Sequence, residues 1–268
     1  MQTPTFTPND LNALIALVDA AGTAIMTVYT QETPITTHWK DDQSPLTQAD
    51  QKAHDILHAG LQHHWPDIPV LSEEGQSWNP QHATNLYWAV DPLDGTKEFL
   101  KRNGEFTVNV AIVAQGRPIL GVVYAPVKNW LYTGFTADLP GEPTQARKRS
   151  PQGWENIRSS GFSGPTSTHR PTRVAMSRSH PSPELAQWLE PYQPIERQDI
   201  GSSLKFCLVA EGSIDVYPRL GPTCIWDTAA GHAIVEAAGG RVCGMDGQPL
   251  RYVDPSHTLN GHFIAWGG

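Results

Sequence analysis

The chain has 268 residues, of which 39% are hydrophobic, and a formal net charge of −8 at pH 7. This length allows one large domain or two coupled ones with a sizeable core. The acidic balance argues against a general nucleic-acid binder, because such proteins are usually basic overall.

The cysteines and the start of the chain indicate the expected compartment. Cys207, Cys224 and Cys243 are too few and too scattered for a disulfide framework. Lys40 is the first basic residue, so the positively charged start of a secretory signal is absent. We see no run of about 18 apolar residues, so we expect no integral membrane segment. We therefore expect a cytoplasmic protein.

Two amphipathic helices are predicted first. Thr7-Pro8-Asn9-Asp10 is typical of a helix start, with Thr as N-cap, Pro at the first helical position and an acid at the third. Apolar residues follow at helical spacing through residue 28, and residues 47–64 predict a second helix. Further along, residues 106–124 predict a β-hairpin that turns at residues 116–118, and residues 131–135 predict an edge strand.

The composition changes after the predicted edge strand. Residues 138–172 are rich in Pro, Gly, Ser and Thr and have no periodicity, which predicts a long loop or a flexible insertion. Their basic triplet Arg147-Lys148-Arg149 is expected to be solvated, with contact to a phosphate as the alternative. Helices are predicted at residues 182–189, 202–211 and 227–238, with short strands between them.

This order of elements predicts a layered α/β or α+β sandwich, because strands that alternate with helices build stacked layers. We expect an N-terminal half over residues 1–137 that carries most of the site. We expect the flexible insertion over residues 138–172, and a C-terminal half over residues 173–268.

Carboxylates cluster where predicted strands end. Asp91-Pro92-Leu93-Asp94-Gly95-Thr96 follows one apolar run, Glu73 and Glu74 follow another, and Asp227 opens a predicted helix. Clustered carboxylates repel one another unless a cation or a proton neutralises them. Mg²⁺ prefers oxygen ligands and commonly binds together with substrate phosphate. Pro92 restrains the backbone, so the Leu93 carbonyl is a further candidate ligand. The sequence therefore predicts a metal-dependent enzyme that processes phosphate.

Several of these residues also have a purely structural interpretation. Asp50 lies three residues after Thr47, so spacing alone favours the acid of a helix cap. Asp227 could be the N-cap of its own helix. Four other polar residues would each be read as ordinary surface residues if taken alone: His180, Ser202, Lys205 and Arg219.

The acidic motifs resemble a known family. Asp91-Pro-Leu-Asp-Gly-Thr96, preceded by Leu71-Ser-Glu-Glu74 and followed by Trp226-Asp-Thr-Ala-Ala-Gly231, resembles the inositol monophosphatase superfamily of Mg²⁺-dependent, lithium-sensitive phosphatases. Residues 97–109, 121–126, 177–180 and 201–212 are similar to its bacterial 3'(2'),5'-bisphosphate nucleotidase branch. The similarity runs from about residue 10 to the end of the sequence. The resemblance implies an αβαβα layered sandwich.

The resemblance also implies roles for individual residues. It implies two or three Mg²⁺ ions per site, held by Glu73, Asp91, the Leu93 carbonyl, Asp94 and Asp227. It implies that Asp50 and Glu74 handle the proton of the attacking water, with Thr96 as a relay. Substrate binding falls to Gly95, Thr96, His180, Ser202, Lys205, Arg219 and Asp227.

The implied reaction is hydrolysis of 3'-phosphoadenosine 5'-phosphate (adenosine 3',5'-bisphosphate) to AMP and phosphate. Its 5'-phosphosulfate analogue would be a second substrate, and the role would lie in sulfate assimilation and nucleotide recycling. The location would be the cytoplasm, with peripheral attachment to the inner membrane left open, as is the choice between monomer and homodimer. Two alternatives stay open as well. One is the same chemistry on inositol 1-phosphate or fructose 1,6-bisphosphate, and the other is a catalytically inert nucleotide sensor.

Overall fold

The computed structural model describes residues 6–31, 37–39, 45–75, 78, 85–136, 144–164, 170–178 and 183–268. Within these residues the chain forms five layers: two helices, a seven-stranded sheet, two central helices, a five-stranded sheet and an outer helix. The predicted αβαβα sandwich is therefore confirmed.

Helices α1 (Pro8–Tyr29) and α2 (Gln48–His64) form the first layer. Each begins at a capping box, in which a Thr and the acid three residues later hydrogen-bond to each other's backbone N–H groups. In α1 the pair is Thr7 and Asp10, as predicted, and in α2 it is Thr47 and Asp50. A short antiparallel pair, β1 (Thr37–Trp39) and β2 (Pro45–Thr47), precedes α2.

Helix α1 is long and apolar enough to cross a membrane when judged by length and composition alone. That is weak evidence, because core helices of water-soluble proteins and secretion signals pass the same test. Here its fully buried residues Leu14, Val18, Ala21 and Ile25 belong to one cluster with α2 and the seven-stranded sheet. The expected absence of an integral membrane segment stays a prediction.

The seven-stranded sheet places its strands in chain order, with β3 and β4 parallel and every later pair antiparallel. The predicted hairpin is present, but its turn is at residues 115–116, one residue earlier than predicted. The strands are β3 (Val70–Ser72), β4 (Leu86–Asp94), β5 (Thr107–Ala114), β6 (Arg117–Ala125), β7 (Trp130–Phe135), β8 (Gln145–Ser150) and β9 (Gly153–Asn156).

The flexible insertion predicted for residues 138–172 is wrong where β8 and β9 lie. These strands extend the sheet past β7, so β7 is not an edge strand as predicted. The side chains of the basic triplet are half-buried and have partners within the protein, unlike the solvated charge run that was expected. Lys148 Nζ lies 2.7 Å from Glu211 Oε2, Arg149 Nη1 lies 2.8 Å from Asp19 Oδ2, and the Arg147 guanidinium covers the Trp154 ring. Partners distant in sequence therefore stabilise strands that the local composition does not favour.

The third layer consists of helices α5 (Leu204–Ala210) and α6 (Ile225–Ala237), which pack on the other face of the same sheet. The backbone of α6 runs directly over two strand glycines. A Cβ at Gly121 would collide with the Ala230 carbonyl, and a Cβ at Gly134 would lie 2.5 Å from the Ile234 Cα. This close approach fixes where α6 begins relative to the end of β4. A short helix, α3 (Thr96–Leu100), follows β4.

The five-stranded sheet closes the fold, in the order β11-β10-β12-β14-β13. Helix α4 (Pro183–Leu189) and a 3₁₀ turn (Glu190–Tyr192) follow β10, and Leu185 and Leu189 of α4 pack in the outer core of this sheet. The strands are β10 (Thr172–Ser177), β11 (Ile195–Ile200), β12 (Val216–Arg219), β13 (Arg241–Gly244) and β14 (Phe263–Trp266).

Candidate active site

Three carboxylates meet where β4 ends and α6 begins. One oxygen from each of Asp91, Asp94 and Asp227 lies within 4.8 Å of the other two. The register between β4 and β5 shifts between Asp91 and Asp94. Asp91 pairs with Asn109 and Asp94 with Thr107, so an advance of three residues on β4 corresponds to only two on β5. Such a bulge re-aims side chains, and here it lets two acids three residues apart reach the same cluster. The sequence prediction of an acidic cluster at this strand end is therefore confirmed.

Glu73 completes the predicted set of acids. It follows β3, which runs parallel to β4, and its backbone N–H donates to the Val90 carbonyl at 3.1 Å. Glu73 lines the same cavity as the three aspartates. Burial raises the pKa of Asp91, and the negative charge of Glu73 raises it further. Four acids from two strand ends and one helix start therefore share one site.

Each aspartate of the cluster uses one carboxylate oxygen to accept from a backbone N–H group. The Leu93 N–H donates to Asp91 Oδ1 at 2.9 Å, the Ser203 N–H to Asp94 Oδ2 at 2.6 Å, and the Cys224 N–H to Asp227 Oδ2 at 2.7 Å. Each carboxylate is thus held in place and keeps a second oxygen. That arrangement suits a cation bound between them.

Asp227 is not the N-cap of its helix, and that interpretation was wrong by three positions. Helix α6 begins at Ile225 with Cys224 as N-cap, so Asp227 is the third helical residue. Its carboxylate reaches back to the N-cap backbone as the acid of a capping box. This conformation turns the carboxylate toward the end of β4.

The carboxylates of the cluster have raised pKa values because they are buried and close together. Burial raises the pKa of Asp91 well above its usual range, and the charges of Glu73 and Asp94 raise it further. Burial also raises the pKa of Asp94. Burial, followed by the Asp94 charge, raises the pKa of Asp227 to about 8. Without a cation the folded protein therefore retains protons here near neutral pH.

The donor set fits a hard divalent ion such as Mg²⁺. It consists of oxygen atoms only, from Glu73, Asp91, Asp94 and Asp227, and the Leu93 residue also lines the cavity. Oxygen ligands of this kind are the ones that Mg²⁺ prefers. The Leu93 carbonyl oxygen already accepts from Thr96 Oγ1 at 3.3 Å, and a carbonyl has a second lone pair for a cation.

Asp50 is the acid of the helix cap and also contacts a residue of the cavity wall. Its Oδ2 accepts from the Thr47 N–H at 2.8 Å as the acid of the helix cap. Its Oδ1 accepts from Thr96 Oγ1 at 3.2 Å, which connects it to the cavity wall. Burial raises the pKa of Asp50. Glu74 is half-buried but is not among the residues that line the cavity. The catalytic roles of Asp50, Glu74 and Thr96 stay predictions.

A cavity of about 260 Å³ extends from the carboxylates to the predicted substrate residues. Lys205 is buried, and its Nζ donates to the Ser202 carbonyl at 2.6 Å and to the Ile200 carbonyl at 3.3 Å. Burial lowers the pKa of Lys205 to about 8. The cavity also contains Gly95, Thr96, Ser202, Arg219 and Asp227. The structure thus brings these predicted substrate residues together, and their role in binding stays a prediction.

His180 falls outside the described residues. Arg219 ends β12 as expected, and its Nη2 donates to the Pro222 carbonyl at 2.8 Å. Gly95 has a φ of 91° and precedes α3, and a Cβ added at Gly95 would lie 3.4 Å from Ser202 Cβ. The turn after β4 therefore abuts the turn before α5.

The residue-level prediction missed Ser203 and Asn109, both buried and both bonded to Asp94. Ser203 Oγ lies 2.8 Å from Asp94 Oδ2, and Asn109 Nδ2 lies 3.3 Å from the same oxygen. A signal for Asn109 was present, because it interrupts an otherwise apolar stretch of β5 from residue 108 to residue 114. A buried polar residue in such a strand commonly has a specific partner. Ser203 had no comparable signal.

Comparisons with known proteins give close matches. Residues 9–263 match the inositol monophosphatase family profile. The 3'(2'),5'-bisphosphate nucleotidase CysQ of Escherichia coli K12 is 46% identical over 254 residues, which cover 94% of this chain and 98% of that protein. The namesake from Buchnera aphidicola is 43% identical, covering 95% of this chain and 92% of that protein.

Solved structures agree with these sequence matches. The crystal structure of CysQ from Bacteroides thetaiotaomicron, described as a bacterial member of the inositol monophosphatase family, superposes with a TM-score of 0.81 at 39% identity. The match covers 97% of this chain and 98% of that one. An IMPase from Thermotoga maritima, at 23% identity and a TM-score of 0.76, shares the fold. The family match spans every acid of the cluster.

Proposed function

This chain belongs to the inositol monophosphatase family, and from that membership we propose that it is a Mg²⁺-dependent 3'(2'),5'-bisphosphate nucleotidase. The proposed reaction is hydrolysis of adenosine 3',5'-bisphosphate to AMP and phosphate. Its relatives from Escherichia coli and Buchnera aphidicola, which are named 3'(2'),5'-bisphosphate nucleotidase CysQ, support the assignment. The observation that carries it is the anchored carboxylate cluster, which shares one cavity with the buried cations Lys205 and Arg219.

Glu73, Asp91, Asp94, Asp227 and the Leu93 carbonyl would hold two or three Mg²⁺ ions. The four carboxylates supply four negative charges, which two divalent ions balance. When bound, Mg²⁺ would neutralise this cluster, acidify the attacking water and stabilise the oxygen that leaves. The backbone amides that hold Asp91, Asp94 and Asp227 keep these oxygens oriented before the substrate arrives.

Asp50 and Thr96 would remove the proton of the attacking water. Thr96 Oγ1 shares its one proton between Asp50 Oδ1 and the Leu93 carbonyl, so its lone pairs remain available to accept from a water in the cavity. The water proton would move to Thr96 Oγ1 while the hydroxyl proton moves to Asp50 Oδ1. Burial raises the pKa of Asp50, which favours its acting as a proton acceptor. Glu74 is the second candidate for this role. Neither acid lines the cavity, but the hydrogen bond from Thr96, which does, favours Asp50.

Lys205, Arg219 and Ser202 would bind the second phosphate of the nucleotide. Lys205 and Arg219 are both buried. Burial lowers the pKa of Lys205, the charge of Asp94 opposes that shift, and the charge of Arg219 adds to it. Two neighbouring buried cations repel each other, and a dianionic phosphate would relieve that repulsion. Inositol 1-phosphate has no second phosphate for this pair. Gly95 and Thr96 would contact the phosphate that is cleaved, and His180 is a further candidate contact.

The finer parts of the proposal follow from the same family branch. The 5'-phosphosulfate analogue is a proposed second substrate, and nucleotide recycling in sulfate assimilation is the proposed role. The cytoplasm is the proposed location, which the three free cysteines support because disulfides are rare in reducing compartments.

Phosphate release tests the proposal. Adenosine 3',5'-bisphosphate, inositol 1-phosphate and fructose 1,6-bisphosphate would be compared with and without Mg²⁺. We expect a Mg²⁺-dependent preference for the nucleotide. A preference for inositol or sugar phosphate would keep the metal site and overturn the roles of Lys205 and Arg219. Tight nucleotide binding without turnover in the presence of Mg²⁺ would instead favour the inert sensor.

A further inference from the structure

Asp94 Oδ2 is fully engaged by the protein. It accepts from the Ser203 N–H at 2.6 Å, from Ser203 Oγ at 2.8 Å and from Asn109 Nδ2 at 3.3 Å. Among the described residues no hydrogen bond reaches Asp94 Oδ1. One oxygen of this carboxylate is therefore held by three donors while the other is left for a cation.

We infer that Ser203 and Asn109 are positioning residues of the metal site, holding Asp94 Oδ2 so that Oδ1 is presented to the ion. The inference rests on the metal centre of the proposed function. Mutation of a residue that hydrogen-bonds to a metal ligand typically weakens metal affinity 10- to 100-fold.

Ser203 also ties two metal ligands to each other. Its hydroxyl lies 2.6 Å from the Asp227 carbonyl oxygen as well as 2.8 Å from Asp94 Oδ2, so one proton is shared between the two acceptors. Asn109 Nδ2 donates to the same hydroxyl at 2.9 Å, which orients it. The end of β4 and the start of α6 are thereby joined through one buried side chain.

The burial of Asn109 favours such a role. It is fully buried in β5, and its Oδ1 has no hydrogen-bond partner among the described residues. A buried polar atom without a partner costs stability. A valine would fit the apolar pattern of this strand better, so the amide is explained by its bonds to Asp94 and Ser203.

Ser203 links the metal site to the proposed phosphate pocket as well. It lies next to Ser202 and two residues before Lys205, in the turn that opens α5. On its other side this turn is held by Glu105, whose Oε2 accepts from the Gly201 N–H at 2.8 Å. The segment that would bind the second phosphate is therefore hydrogen-bonded directly to the metal ligand Asp94.

Direct metal binding tests the inference. Mn²⁺ titrated into EDTA-stripped, dialysed protein would be followed by electron paramagnetic resonance. We expect Ser203→Ala to weaken Mn²⁺ binding by about tenfold or more. We expect Asn109→Ala to weaken it less, since Ser203 keeps its two contacts. The double variant should lose less than the product of the two single effects, because the residues act on one carboxylate oxygen.

Ser159→Ala is the matched control, because Ser159 Oγ donates at 3.0 Å to the Ala238 carbonyl at the other end of α6. It should bind Mn²⁺ as the unmutated protein does. Turnover of Ser203→Ala should recover as Mg²⁺ is raised, which a general loss of structure would not allow. Asn109→Ala tests the same idea without altering α5, should Ser203→Ala fold poorly.

Three outcomes would contradict the inference. Mn²⁺ affinity unchanged in both Ser203→Ala and Asn109→Ala would overturn it and leave a metal-dependent phosphatase standing. An equal loss in Ser159→Ala would show that the effect is not specific to Asp94. Failure of the unmutated protein to bind Mn²⁺ and to respond to Mg²⁺ would overturn the proposed function and this inference together.

Discussion

Asp227→Asn should make the metal-free protein more stable while it removes the response to metal. The substitution keeps the volume of the side chain and removes one negative charge from the cluster with Asp91 and Asp94. The amide oxygen of Asn can still accept from the Cys224 N–H, so the helix cap remains. The net change is therefore the loss of a buried charge that, without a cation, is repelled by its neighbours.

The magnitude follows from the pKa of Asp227, which burial and then the Asp94 charge raise from 3.8 to about 8. The folded protein keeps a proton that the unfolded chain would release. This contribution is fully present below pH 3.8 and is lost as the pH rises through 8. The full shift corresponds to at most about 6 kcal/mol. Because the raised pKa belongs to a cluster of interacting carboxylates, removing one of them should recover only part of this bound. We expect Asp227→Asn to recover about 2 kcal/mol at pH 8, or about 5 °C in Tm for a chain of this size.

Thermal unfolding of EDTA-treated protein at pH 5.5 and pH 8, with and without Mg²⁺, measures both effects. Asp67→Asn is the control, because it removes the same charge from an exposed turn after α2. We expect the unmutated protein to gain more stability from Mg²⁺ at pH 8 than at pH 5.5, and Asp227→Asn to gain little at either pH. A variant that is less stable than the unmutated protein in EDTA at pH 8, yet equally stabilised by Mg²⁺, would refute the reasoning.

Three further substitutions and one control separate chemistry, specificity and structure. Asp94→Asn should abolish turnover with an unchanged circular dichroism spectrum, and near-normal turnover would refute the metal assignment. Lys205→Met should raise KM for adenosine 3',5'-bisphosphate by about tenfold or more, the value of one charge-assisted hydrogen bond, with little effect on 3'-AMP. Lys128→Met, which alters a lysine over the Trp130 ring, is its kinetic control. Lys148→Met should cost about 1–3 kcal/mol in urea unfolding and leave KM unchanged, and a raised KM would contradict its structural role.

The acidic cluster could be predicted because its signals are local. Asp91 and Asp94 lie in one short motif, and a strand that ends at a Pro-containing turn presents both acids at one edge. Asp227 was assigned to the cluster correctly but to the wrong position in its helix, since the N-cap is Cys224, whose residue type is not typical of an N-cap.

The missed features depend on contacts between distant parts of the chain. β8 contains Arg147, Lys148 and Arg149, a composition typical of a solvated segment. In the folded protein Asp19 pairs with Arg149 and Glu211 pairs with Lys148, and both partners are distant in sequence. Ser203 meets Asp94 across more than a hundred residues of sequence, and no local pattern marks that contact. Such pairings depend on how the layers pack on one another. Residue periodicity identifies the buried face of one element but not the element that it packs against.

The close packing of α6 on the large sheet has a consequence for how variation in this protein would be interpreted. Because the helix backbone lies on Gly121 and Gly134, any side chain added there would push α6 away and carry Asp227 out of reach of Asp91 and Asp94. In a mutational screen these two glycines would score as loss of activity although no ligand had changed. Which substitutions the catalytic centre tolerates thus depends partly on a helix–sheet contact that lies away from the substrate.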